Sequence, residues 1–192
     1  MLTLVIGLIL FLGVHSARVV AEPARQRFIQ ARGPLAWKAV YSAASIVGFV
    51  LIIQGWAQAR MSPEVLWATP LWLRHVASLL TLASFVLLAA AYVPRNAIKA
   101  RLRHPMVLGV KAWALAHLLA NNTLADVVLF GSFLIWAVLS FSAARQRDRA
   151  QPENEVPHTA IGTAITVVVG LGAWAGFAFW AHQAWIGVKP FG

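Results

Sequence analysis

The sequence predicts an all-α, polytopic transmembrane bundle of about six helices. Three observations carry this. Sixty per cent of the 192 residues are hydrophobic and only 11% are charged, against about 25% charged in an ordinary soluble domain. The apolar residues gather into runs long enough to approach the ~30 Å of hydrocarbon in a bilayer. The basic residues fall in the gaps between those runs, and mostly in alternate gaps. A soluble domain could not cover its surface with so few charges, whereas in a bilayer apolar side chains can face outward. One membrane domain is the natural count.

Six segments are expected: Leu2–Ala17, Ala36–Ala57, Leu71–Val93, Pro105–Ala120, Leu124–Ala144 and Thr159–Ile186. They are long and apolar all round, unlike the short alternating strands of a barrel. The first and fourth are short. The first has no basic residue ahead of it and is followed by Arg18, Arg25 and Arg27, so it reads as a retained helix rather than a cleaved signal. Gly33-Pro34 precedes the second segment, and Pro63 and Pro70 bracket the loop after it. Pro94 ends the third, and Pro105 opens the fourth in a first turn that tolerates proline. Gly172 and Gly176 make a GxxxG step in the sixth, a spacing that lets helix backbones approach. Trp37, Trp56, Trp67, Trp72 and Trp185 fall near the expected interfaces, while Trp113 and Trp136 fall deeper.

The net charge of +10 would point to nucleic acid in a soluble protein. Here the cations orient helices instead. Arg18, Arg25, Arg27, Arg32 and Lys38 lie in loop one, Arg95, Lys99, Arg101 and Arg103 in loop three, and Arg145, Arg147 and Arg149 in loop five. These are twelve of the sixteen basic residues. The positive-inside rule then places the odd loops in the cytoplasm and both termini outside. Loop five, Arg145 to Val156, reads as a charged, mobile connection. Cysteine is absent, which excludes disulfides, thiolate metal sites, a cysteine nucleophile and covalent c-type haem attachment. There is no HExxH, phosphate loop, nucleotide fingerprint or Ser-His-Asp pattern. The few carboxylates lie mostly in loops, which argues against a di-metal carboxylate bundle. Asp126, at the start of the fifth segment, suits the positive end of a helix dipole.

The chemistry-bearing residues that remain are six histidines, all in or beside helices. Ionisable groups inside membrane helices are costly, and tend to face the interior and be used. His158 and His182 lie near boundaries, where a hydrogen-bonding role suffices. His117 has the most informative context. Gly109, Trp113, His117 and Asn121 form one row at four-residue spacing, a surface that a flat cofactor could use; as plain structure, the same row is a helix seam with Asn121 as a cap. His15 shares a row with Phe11 and Gly7. His104 and His117 are well off a common face. Neutral imidazoles from different helices suit haem iron as axial ligands.

The stretch from His104-Pro105 through Gly109, Trp113 and His117 to Asn121-Asn122, followed by Leu129 to Ala137, resembles the signature of NnrU membrane proteins. Gly13-Val14-His15-Ser16 and the end from His182 to Pro190 resemble it too, so the likeness spans nearly the whole chain. That resemblance implies an association with denitrification, alongside nitrite and nitric oxide reduction. It also implies kinship with the plastid 15-cis-zeta-carotene isomerase, which holds a non-covalent b-type haem through histidines; the matching positions here are His15 and His117. Where the isomerase has a cysteine implicated in ligand switching, this chain has Ala114, so a switch of that kind is impossible. At about 1.5 Å rise per residue, the expected topology separates the depths of His15 and His117 by roughly 15 Å. The pair His75 and His117, on one leaflet, is the geometric alternative. Three functions follow as expectations: a haem b protein with redox or isomerase-like chemistry, a non-enzymatic membrane factor supporting the denitrification proteins, or a small transporter in which Lys111 meets an anion.

Overall fold

The computed structural model describes residues 1–150 and 157–191. The described residues are helical apart from short connections, with no strand beyond an isolated bridge between Val65 and Thr123. The helices are α1 (Leu2–His15), α2 (Ala17–Val20), α3 (Glu22–Ala59), α4 (Leu71–Tyr92), α5 (Ala97–Leu102), α6 (Pro105–Ala120), α7 (Leu124–Arg149), α8 (Ala160–Gly176) and α9 (His182–Ile186). A π-helical turn, Phe177–Ala181, joins α8 to α9. Four helical stretches are long and apolar enough to cross a membrane: Glu22–Ala59, Leu71–Tyr92, Leu124–Arg149 and Ala160–Ile186. The apolar helices α1 and α6 are shorter, at 14 and 16 residues, or about 21 and 24 Å. All six expected segments are therefore helices. The protein is a multi-pass membrane bundle, and exposed residues such as Ile46, Leu79, Ile135 and Val168 are its lipid-facing surface.

Several boundaries differ from the sequence reading. Loop one is not a loop: α2 and the first turns of α3 occupy it, and α3 bends at Gly33 before entering the expected segment. Most of loop three folds as α5, capped by the Asn96 side chain on the Lys99 N–H. The charged start of loop five, Arg145 to Arg149, continues α7, because arginine is a good helix former. Gln151 to Val156 lie outside the described residues.

The chain divides into two compact units. The first comprises residues 1–68 and 122–140. In it α1 and α3 run antiparallel with their backbones touching. A side chain at Gly7 would meet the Ile52 nitrogen at 2.6 Å, one at Gly48 the Phe11 nitrogen at 2.8 Å, and one at Gly55 the backbone of Leu4. Leu4, Leu8 and Ile52 are buried along this seam. Lipid tails are as apolar as these side chains, so close van der Waals packing, which only small residues permit, supplies the association. The connection after α3 is tied to the start of α7 by Leu66 N–H to the Asn122 carbonyl (2.8 Å) and Leu124 N–H to the Glu64 carbonyl (2.9 Å).

Asp126 does more than sit at a helix start. It is buried, 7% exposed, and accepts hydrogen bonds from the Trp56 indole N–H (2.9 Å) and the Thr123 hydroxyl (2.6 Å). The Arg60 guanidinium lies 4.6 Å over the Trp56 ring. Asp126→Ala strands the Trp56 donor and is expected to cost about 2 kcal/mol, as for a buried bond to a charged group. A double-mutant cycle with Trp56→Phe in thermal unfolding checks it, and additive losses would show that the bond contributes nothing.

The second unit comprises residues 69–121 and 141–192. Here α4 packs against α6 and α8. The buried Ser84 hydroxyl donates to the Gly109 carbonyl (2.8 Å), and a side chain at Gly109 would meet Ser84 and Leu88 of α4. On the α8 side, the close approaches are Gly170 to Val86 and Gly162 to Arg95. The Trp174 indole N–H reaches the Thr81 hydroxyl at 3.2 Å. The expected GxxxG contact is not made among the described residues. A side chain at Gly172 or Gly176 would meet nothing within 4 Å, because the face of α8 turned to α4 carries Gly162, Thr166 and Gly170 instead.

Candidate functional site

Two histidines share one local arrangement. The Nδ1–H of His15 donates to the Phe11 carbonyl at 2.7 Å, and that of His117 to the Trp113 carbonyl at 2.8 Å. A carbonyl only accepts, so each bond places the ring proton on Nδ1. Nε2 then lies on the far side of each ring from the bonded carbonyl. Metal-ligating histidines are commonly held this way, since the outer bond fixes both tautomer and ring orientation. In each case the residue that supplies the carbonyl also supplies a ring. Phe11 stacks on His15 with centroids 4.2 Å apart, and Trp113 lies 5.0 Å from His117. Both arise because a side chain four residues earlier on a helix lies on the same face.

Around His15 the first unit adds Tyr41 at 5.1 Å and Trp136 at 6.2 Å, the latter edge-on. Phe11 also touches Phe49 and Phe133. The Trp136 indole N–H is buried and meets no acceptor among the described residues. An unpaired buried donor of this kind costs about 1–3 kcal/mol, so an acceptor brought there by a bound group would be stabilising. These neighbours lie far from His15 in sequence, and the depth of Trp136 in its segment was the one signal for them.

The second unit holds the other expected residues and does not gather them. His117 and Trp113 lie half-buried on α6, while Gly109 of the same row is buried against α4. Asn121 is the C-cap of α6, its N–H bonded to the His117 carbonyl at 2.9 Å. His75 is exposed near the start of α4, roughly 200° around the helix from the buried Ala77. His182 donates from Nδ1 to the Val188 carbonyl at 2.7 Å and closes the chain's last turn, where Gly187 takes the left-handed conformation (φ 78°). Among the described residues no group of three or more histidines or carboxylates gathers in a form that could hold a metal ion.

His104 makes a different pair, unannounced by sequence. Its Nε2 lies 2.9 Å from Asp148 near the end of α7, and Arg145 approaches the same carboxylate at 3.7 Å. Phe141 meets the imidazole edge-on at 6.4 Å. The preceding residue, Arg103, has φ +61°, a strained conformation for a non-glycine. The pair is about a quarter exposed at His104 and a fifth at Asp148. His104→Gln and Asp148→Asn are therefore expected to show a coupling of only about 0.5–1 kcal/mol in a double-mutant cycle. A coupling of zero would mean that the contact is incidental.

The fold defines a polytopic helical membrane protein, two of whose helix-borne imidazoles are tethered to main-chain carbonyls. The family model described as NnrU protein matches residues 3–190. The chain belongs to the NnrU family. Neither curated proteins nor solved structures provide a match to it.

Proposed function

We propose that this membrane protein binds b-type haem, with His15 and His117 as imidazole ligands to iron, and acts in redox or isomerase-like chemistry linked to nitrogen-oxide metabolism. The carrying observation is that each of the two histidines bonds Nδ1 to a main-chain carbonyl, the outer bond that commonly orients a ligating imidazole. Haem so held would supply one-electron exchange between ferric and ferrous iron. The chain's own residues orient the imidazoles through the Phe11 and Trp113 carbonyls and wall the His15 site with Phe11, Tyr41 and Trp136. The setting is the bacterial cytoplasmic membrane with both termini outside, supported by the twelve basic residues in alternate connections. Its partners in this reading are the proteins of nitrite and nitric oxide reduction.

The test is absorption spectroscopy on protein purified in mild detergent from haem-replete cells. A stoichiometric Soret band, with reduced α and β bands of six-coordinate haem b, is the expected result. A colourless protein that also takes up no added haem overturns the proposal.

A further inference from the structure

A straight helix over the 38 residues of α3 would be about 57 Å long, nearly twice the hydrocarbon thickness. The chain resolves this at Gly33, whose φ of 84° and ψ of 162° break the helix. Glycine adopts that region freely, and Pro34 favours an extended residue before it. Residues beyond Pro34 form the spanning helix. The stretch from Glu22 to Arg32, with α2, is too polar to follow it into hydrocarbon and makes an elbow.

Contacts within the elbow engage part of its side chains. Phe28 meets Trp37 edge-on at 5.8 Å, and Arg25 lies 5.7 Å over the same ring. The one acidic residue there, Glu22, is bonded to Arg25 at 2.9 Å and to Gln26. Arg18, Arg27, Arg32 and Lys38 of the elbow are exposed. Arg27, Arg32 and Lys38 have no ion pair among the described residues. Beside these cations stand Val20 and Leu35, each 78% exposed. Unpaired cations interleaved with exposed aliphatic side chains match the headgroup–acyl boundary of a bilayer: the charge meets lipid phosphate while the apolar groups enter the chain region.

We propose that the elbow, residues 17–38, is a binding surface for anionic phospholipid headgroups. It recognises a net negative headgroup through Arg18, Arg27, Arg32 and Lys38, and Gly33 sets the angle that presents them. A zwitterionic headgroup offers the same phosphate but adds a cation, which these residues repel.

Native mass spectrometry of the full chain in detergent, titrated with phosphatidylglycerol or phosphatidylcholine, tests this. Retention of phosphatidylglycerol is expected to be about tenfold tighter, in keeping with the attraction of each basic residue to an anionic surface. R18Q/R27Q/R32Q/K38Q is expected to bring the two lipids within about twofold of each other. R101Q/R145Q/R147Q/R149Q, which removes as much charge elsewhere, leaves the preference intact. Gly33→Ala keeps every cation but lowers the preference. Should the quadruple elbow variant lose helicity by circular dichroism, R27Q and K38Q carry the test, each weakening phosphatidylglycerol by about threefold. Equal retention of both lipids by the unaltered protein overturns the proposal. So does a preference that survives the elbow variants or falls as far in the control. Displacement of the lipid by millimolar glycerol phosphate also overturns it, assigning the surface to a soluble phosphate ester.

Discussion

His117→Ala abolishes the Soret band of protein prepared from haem-replete cells, whereas His182→Ala leaves it unchanged: this is the largest effect expected on the proposed function. Both residues donate from Nδ1 to a main-chain carbonyl, so the contrast is not one of tautomer. It is one of position: His117 lies on the apolar helix α6 beside Trp113, while the bond of His182 to Val188 folds the turn that follows α9. Haem iron ligated by two imidazoles has no open position. His15→Ala is therefore expected to shift the spectrum from six- to five-coordinate, or to lose the haem outright. Trp113→Leu keeps the carbonyl that tethers His117 and removes only the ring, so it is expected to retain haem with a displaced band. An unchanged Soret band in His117→Ala removes that residue from the proposal, and unchanged bands in both histidine variants remove the ligand assignment altogether.

The largest expected effect on stability is Gly55→Leu, which costs about 3 kcal/mol or more, at or beyond the upper end of ordinary overpacking. The reason is what the new atom meets. A Cβ at Gly55 falls onto the backbone of Leu4, with the Leu4 Cα at 2.6 Å and the Thr3 carbonyl carbon at 2.8 Å. Side chains can rotate away from such a contact, but the backbone of a helix cannot. Relief requires α1 to leave α3, which breaks the seam that buries Leu4 and Leu8. Gly172→Leu is the internal control. It makes the same chemical change on an apolar helix but meets nothing within 4 Å, so it is expected to stay within about 0.5 kcal/mol of the parent. Thermal unfolding of both variants in one detergent compares them directly. Similar midpoints would show that the α1–α3 contact does not govern stability.

The two glycine positions show where the sequence is readable and where it is not. Gly172 and Gly176 have the spacing of a packing motif, yet the packed row of the same helix is Gly162, Thr166 and Gly170, which has the same four-residue step on another face. Spacing establishes that two residues share a helix face. It does not say which face meets a neighbour, because in a bilayer every face of these helices is apolar and polarity no longer marks the inside. The histidines divide in the same way. The rows Phe11 to His15 and Trp113 to His117 are legible as four-residue steps on a helix, and the carbonyl tethers follow from that local geometry. Tyr41 and Trp136 beside His15, Trp56 on Asp126, and Asp148 on His104 are not legible, since each joins residues of separate helices.

By itself the sequence determined the membrane bundle, its six apolar helices and the family, because hydrophobic length and local motifs are properties of contiguous residues. Only the tertiary structure decided that loop one is a helical elbow bent at Gly33, that the close helix contacts run through Gly7, Gly48, Gly55 and Gly170, and that Asp126 and His104 have partners. Those outcomes depend on which surfaces meet after folding. Small residues at four-residue steps occur on more than one face of α8, so spacing alone does not select the packed one, and hydrogen bonds between residues 44 and 70 positions apart leave no local pattern in the chain that forms them.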